Sequence, residues 1–294
     1  MSSYKEPHYF NTDDKRVVDS LDHYLGLFAN CGDEHLAVGE ASVWYLSSRK
    51  AVSNILAFCP DAKFIVLIRN PLEMAQALHS EMLFVGNENI ESFEEAWIAQ
   101  KERRKGRRIP SLCWEPRWLQ YGENCKLGAQ VQRLLATASS DRVLILMLDD
   151  MRQNARRTYL QVLNFLNVPD DGRMDFTAKN AAKIRRMWRL TMVSNAAVRI
   201  KHFLGIRRGF GIWRHIDRWN QTPISRKKLK PEFADELREY YENDVALLGQ
   251  LVGRNLGAAW KIYISLSQFH FTTRRVQFSG RSRASVARSW RPKK

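Results

Sequence analysis

Lys63-Phe64-Ile65-Val66-Leu67-Ile68-Arg69-Asn70-Pro71 is the stretch on which the fold turns. An unbroken apolar run follows a turn signal at Cys59-Pro60-Asp61 and reads as a strand buried on both faces, the habit of a parallel sheet. Asn70 is a good N-cap and Pro71 suits the first helical position, so a helix is expected from there to about Phe84. Arg142-Val143-Leu144-Ile145-Leu146-Met147-Leu148 repeats the strand pattern, with Asp149-Asp150 opening a second helix on which Tyr159, Val162, Leu163 and Leu166 recur at helical spacing. His35 to Val38 is expected as a third, shorter strand, and Val52, Ile55, Leu56 and Phe58 mark a helix before the Lys63 run. Strands alternating with helices define an α/β fold, a parallel sheet flanked by helices.

Further helices are expected over Glu91 to Arg108, Gln120 to Ala138 and Pro231 to Gly253. The last carries Phe233, Leu237, Tyr240, Tyr241 and Val245 on one stripe, which faces a core. One domain over residues 1–260 accounts for these elements. From Lys261 onward no acidic residue occurs, and Arg and Lys are set among Ser and Gly, so residues 261–294 read as a basic, flexible tail.

The chain has 294 residues, 45% of them hydrophobic, which sustains a core and excludes a wholly disordered chain. A net charge of +16 and a pI near 9.9 attract anions: nucleic acid, anionic lipid, an acidic polymer or a phosphorylated nucleotide. Cys31, Cys59, Cys113 and Cys125 form no C-x-x-C pair and no zinc-finger spacing with histidine, so no metal site is expected; Cys59 and Cys113, beside apolar residues, read as small core residues. The N-terminal residues lack the apolar stretch of a signal peptide, and no run is long enough to span a bilayer, so a cytoplasmic protein is expected.

Ligands of open parallel sheets bind beyond the carboxyl ends of the strands. That position belongs to Arg69, beside the N-terminus of the following helix with its free N–H groups and positive dipole end. On this geometry Arg69 either holds a phosphate through paired hydrogen bonds or pairs with a nearby carboxylate.

Phe64 to Ser80 resembles the 3′-phosphate-binding segment of the PAPS-dependent sulfotransferases, enzymes that move a sulfuryl group from 3′-phosphoadenosine-5′-phosphosulfate to an acceptor. The resemblance assigns Arg69 to the 3′-phosphate. The family's serine falls at Ala77, and Ser80, one turn further along the same face, is the candidate substitute. Lys5-Glu6-Pro7-His8-Tyr9-Phe10 resembles the K-E-P-H-F-F of glycosaminoglycan-type sulfotransferases, which implies Glu6 as general base and His8 as its helper. Glu40, Ser42 and Tyr45 match the family's E-K-T/S-P-x-Y stretch, with Ala41 in place of its lysine and Val43 in place of its proline.

Leu144 to Asp150 and Leu229 to Trp260, with Leu251-Val252-Gly253-Arg254, are similar to the late strand and closing helix of that family, so the resemblance runs from Lys5 to about Trp260. In the basic, Trp-rich region Lys179 to Lys230, Arg185 is the candidate from a loop that closes over the nucleotide; single-stranded nucleic acid, a membrane surface or simple packing would also suit that composition.

The resemblance implies a P-loop-kinase-like sheet with PAPS as cosubstrate and PAP as product, a hydroxyl acceptor that is a carbohydrate or small molecule, no metal and no specific nucleic acid. It also implies an upstream Pro-Lys-x-Gly-Thr-Thr-type loop for the 5′-phosphosulfate. None is present in the chain, which is therefore expected to be N-terminally incomplete, or else a degenerate, non-catalytic member binding a nucleotide or polyanion.

Overall fold

The computed structural model describes residues 1–177, 183–185, 221–223 and 229–261, the two three-residue pieces by their backbone. Strand β1, Phe64–Ile68, pairs in parallel with β2, Val143–Met147, in register from Phe64↔Val143 to Ile68↔Met147. Both leading expectations for the sheet are met. So is the helix after β1, which we call α3, Pro71–Val85: the Asn70 side chain accepts the Leu72 N–H, and the helix ends on Gly86 at φ 78°. That left-handed C-cap suits glycine, which has no Cβ to clash.

Before the sheet come α1, Leu21–Gly26, and α2, Ala51–Phe58. After α3 follow α4, Phe93–Arg103; a 3-10 turn, Pro116–Leu119; α5, Tyr121–Asn124; and α6, Leu127–Thr137. Beyond β2 lie α7, Leu148–Gln153, and α8, Ala155–Leu166, then α9, Pro231–Val252, and α10, Leu256–Ala259. A short antiparallel pair, β3 (Lys183–Arg185) with β4 (Gln221–Pro223), runs beside α3. Residues 178–182, 186–220 and 224–228 and the tail beyond Lys261 lie outside the described residues.

The main core gathers Val66 and Ile68 of β1, Leu72, Ala75 and Met82 of α3, Val131 and Leu134 of α6, and Phe233, Leu237, Tyr241 and Val245 of α9, so the α9 stripe is core-facing as expected. A smaller aromatic core of Phe10, Val18, Tyr24, Leu27 and Ala51 supports the N-terminal segment.

Several expectations are corrected. β1 is buried on one face, not two: Ile65 and Leu67 are 44% and 49% exposed. Residues 35–38 form no strand, with Leu36 and Val38 exposed; a strand needs a ladder partner and an apolar layer to cover it, and this segment has neither. The helix expected from Asp149 is two, because Asn154 caps a new start by accepting the Arg157 N–H. The 120–138 helix breaks at Cys125-Lys126. Cys59 and Cys113 are only half-buried, and Cys125 is the core cysteine.

α6 packs against α9. The Asp244 carboxylate crosses from α9 to accept the Gly128 and Ala129 N–H groups (2.8 and 2.9 Å), satisfying free donors at the start of α6. A Cβ at Gly128 would collide with the Asp244 backbone carbonyl. Gly128→Ala should therefore lower stability by about 1–3 kcal/mol through overpacking, against the gain of about 1 kcal/mol that alanine brings to an open helix. Urea unfolding distinguishes the two signs.

Candidate active site

Pro7 separates two residues with left-handed backbone, Glu6 at φ 58° and His8 at φ 51°. Each costs about 1–2 kcal/mol in a non-glycine residue, so the surroundings must hold the turn. The His8 N–H donates to Ser42 Oγ (3.2 Å), the Val18 N–H to the Pro7 carbonyl (3.0 Å) and the Asn11 N–H to the His8 carbonyl (3.2 Å). Ser42 Oγ in turn donates to Glu40 (2.6 Å), whose other oxygen accepts from the Tyr45 (2.7 Å) and Tyr24 (3.2 Å) hydroxyls. Burial, then the Glu40 carboxylate, pushes both phenols well up, so they remain donors.

The strained turn brings the two predicted catalytic side chains together: His8 Nε2 lies 3.6 Å from Glu6 Oε2. His8 is buried, while the Glu6 side chain is 30% exposed. Contact with His8, aided by the charge of Lys5 and opposed by partial burial, holds the Glu6 carboxyl below its ordinary range. Glu6 is thus charged at neutral pH, the form that accepts a proton.

Arg69 stands where β1 ends and α3 begins. Its Nη2 donates to Glu73 Oε2 (2.9 Å), one turn along α3, so the carboxylate pairing that the sequence left open is present. Arg152, from α7 at the end of β2, reaches the same Glu73 oxygen at 3.5 Å and Asp149 at 3.1 Å. Beside them Arg254 pairs with Asp150 at 2.7 Å, lining a cavity of about 460 Å³ past the carboxyl end of β2. Two arginines, Arg69 and Arg152, thus converge on one carboxylate at the mouth of the sheet.

Ser80 spends its hydroxyl on the Gln76 carbonyl of its own helix (2.9 Å), and no contact joins it to Arg69. Arg185 lies in β3, and its side chain is outside the described residues. Nor does any hydrogen bond, ion pair or ring contact link the Glu6–His8 pair to Arg69 among the described residues. The sequence reading missed Glu73, although its place four residues after Arg69 on a helix was a usable signal. It also missed Arg152, which only strand pairing brings near.

One class of atom singles out these two groups. Among the described residues, the buried side-chain nitrogens and oxygens without a hydrogen-bond partner are His8 Nδ1, both amide atoms of Asn11, and Arg69 Nε. Such orphans are rare in folded proteins and call for an explanation where they occur.

The fold is that of a sulfotransferase. The structure matches a crystal structure of a sulfotransferase from Alicyclobacillus acidocaldarius with a TM-score of 0.62 and 22% identity, over 88% of this chain and 87% of that one. A sulfotransferase domain from the curacin biosynthetic pathway aligns over 51% of this chain and 45% of that one, at 14% identity and a TM-score of 0.33. No family model and no curated protein matches the sequence.

Proposed function

We propose that this protein transfers a sulfuryl group from PAPS to a hydroxyl of a carbohydrate or small-molecule acceptor. The observation that carries the reading is that, among the described residues, the orphaned buried polar atoms fall in the Glu6–Asn11 turn and on Arg69. A ligand that displaces the side chains covering them would supply missing partners: an anion for Arg69 Nε and a hydroxyl for His8 Nδ1. The sulfotransferase fold agrees with that assignment.

Arg69 would hold the 3′-phosphate, with the α3 N-terminus beside it and Arg152 close by. Phosphate entry requires Glu73 to release Arg69. Ser80 and Arg185 remain the further candidates for the nucleotide. PAPS supplies the activated sulfuryl group. Glu6 takes the acceptor's hydroxyl proton onto its carboxylate as the oxygen bonds to sulfur and the bond from sulfur to the 5′-phosphate oxygen breaks, releasing PAP, and His8, in contact with that carboxylate, orients it.

Calorimetric titration with PAP tests the cosubstrate site. Arg69→Ala should weaken PAP binding about 100-fold, the worth of two charge-assisted hydrogen bonds at the low end of their range. Equal affinity in the variant would remove Arg69 from the site. Failure of the folded, unaltered chain to bind PAP would favour a non-catalytic protein that binds other anions.

A further inference from the structure

The C-terminal end of α4 and the turn after it read Lys101-Glu102-Arg103-Arg104-Lys105-Gly106-Arg107-Arg108, six cations in eight positions. Only Arg103 turns inward, onto the buried Glu88; Lys101, Arg104, Lys105, Arg107 and Arg108 are exposed. Hydrogen bonds fix the turn that displays them. The Lys105 and Arg107 N–H groups donate to the Glu102 carbonyl, and the Gly106 N–H to the Arg103 carbonyl, all at 3.0 Å. Gly106 at φ 75° and Arg108 at φ 52° take the backbone through left-handed positions, and Arg103 Nε donates to the Arg108 carbonyl from inside (3.2 Å).

Few carboxylates answer these charges. Glu102 is shared by Lys105 (3.6 Å) and Arg107 (2.5 Å), and Arg104 reaches Glu123 only at 4.0 Å. Among the described residues no carboxylate lies within ion-pair distance of Lys101 or Arg108. The cluster keeps most of its charge for an anionic partner outside the chain.

An exposed indole accompanies the turn. Trp114 is 47% exposed, although side chains of its size are mostly buried. Its N–H donates to the side-chain oxygen of the buried Asn87 (2.8 Å), and Asn87 adjoins Glu88, the partner of Arg103. One buried ion pair thus anchors both the cationic turn and the segment that carries Trp114.

Shape and charge pattern select the partner. The cations sit on an exposed helix end, not in a groove that tracks a strand, and one indole gives no row of stacking platforms, so nucleic acid fits poorly. An indole amid lysines and arginines is the composition that settles at the headgroup level of a membrane. Charge is also graded along α4, since Glu94 and Glu95 open the helix about 15 Å before Lys105. An anionic surface attracts one end and repels the other, which fixes an orientation.

We propose that this end of α4 docks the protein peripherally on an anionic phospholipid surface, with the exposed cations on headgroup phosphates and the Trp114 indole among the headgroups. Docking uses none of the residues assigned to sulfuryl transfer and is independent of it.

Co-sedimentation of the full chain with vesicles tests it, using phosphatidylcholine alone and phosphatidylcholine with one-third phosphatidylserine, at low and at physiological salt. The unaltered protein should bind the mixed vesicles, bind phosphatidylcholine far more weakly and lose affinity as salt rises. Each cation near such a surface is worth about fivefold in affinity, so the triple variant Lys101→Gln, Lys105→Gln, Arg108→Gln should bind roughly 100-fold more weakly. All three positions are exposed, and glutamine at 108 meets the same backbone as arginine, so the thermal midpoint should not move. Trp114→Ala should weaken binding and leave the remainder more salt-sensitive, because the share of the indole is apolar. Equal binding by the triple variant, or equal binding to phosphatidylcholine alone, would overturn the proposal. So would tighter binding of a single-stranded oligothymidylate that the triple variant loses, which marks a nucleic-acid surface instead.

Discussion

Replacing Glu6 by glutamine is expected to cut turnover with PAPS and a hydroxyl acceptor by about 10²–10⁴-fold, the usual worth of a positioned general base. The amide keeps the shape of the carboxylate but cannot take the proton, so PAP affinity should stay within a factor of a few. The acid limb of the pH–rate profile should follow the same group. With Glu6 as the proposed base, activity needs the carboxylate; contact with His8, then the charge of Lys5, holds its pKa below the ordinary value, so activity should persist into acid and fall only as pH drops through the depressed value. A second substitution separates chemistry from folding. Glu6→Gly relieves a non-glycine residue at φ 58° and should raise the thermal midpoint while abolishing turnover. A variant in which turnover survives either change would exclude Glu6 as the base.

The largest effect on stability should come from Arg103→Ala, a loss of about 3–5 kcal/mol, because it leaves a buried carboxylate without its counter-ion. Arg103 and Glu88 meet through two hydrogen bonds of 2.7 Å, and both side chains are fully buried. The remaining valences of Glu88 are filled by the Tyr121 hydroxyl (2.6 Å) and the Asn89 and Ile90 N–H groups (2.8 and 2.9 Å), and Arg103 Nε reaches the Arg108 carbonyl (3.2 Å).

Burial by itself would raise the Glu88 carboxyl. The hydrogen bonds from Arg103 and Tyr121 outweigh it, and the net shift is downward from 4.5. The sign of the pH dependence follows. Stabilisation by Glu88 is complete above its unfolded value and fades as pH falls through the lower folded one. Glu88→Gln should therefore lower stability at neutral pH and flatten its decline in acid. Combining Glu88→Gln with Arg103→Met should cost less than the two single losses added, because no charge is then left unpaired. Additive losses in urea unfolding would rule out the pairing.

The parts of the fold that were legible in sequence are those in which local pattern and final environment agree. Lys63 to Pro71 carries an apolar strand, an N-cap and a helix-opening proline in nine adjacent positions, and β1 and α3 form there. The α9 stripe is equally plain, since helical spacing alone puts Phe233, Leu237, Tyr241 and Val245 on one buried face. Pattern misled where burial depends on remote partners: Ile65 and Leu67 look like core residues but face outward, and His35 to Val38 finds no neighbouring strand.

For the site, local order alone places the residue types at the strand end and in the N-terminal turn: Arg69 before an N-capped helix, and Glu6 and His8 around a proline. Tertiary structure decided what they touch. Arg69 meets Glu73 within its own helix, a contact that spacing allows, but Arg152 joins them only because β2 pairs beside β1 and delivers α7 to the same end of the sheet. The left-handed turn that sets His8 against Glu6 is held by Ser42 and, through it, by Glu40, more than thirty residues away. Local preferences are written within a few residues, whereas a charge cluster is the sum of distances that exist only after the chain has packed.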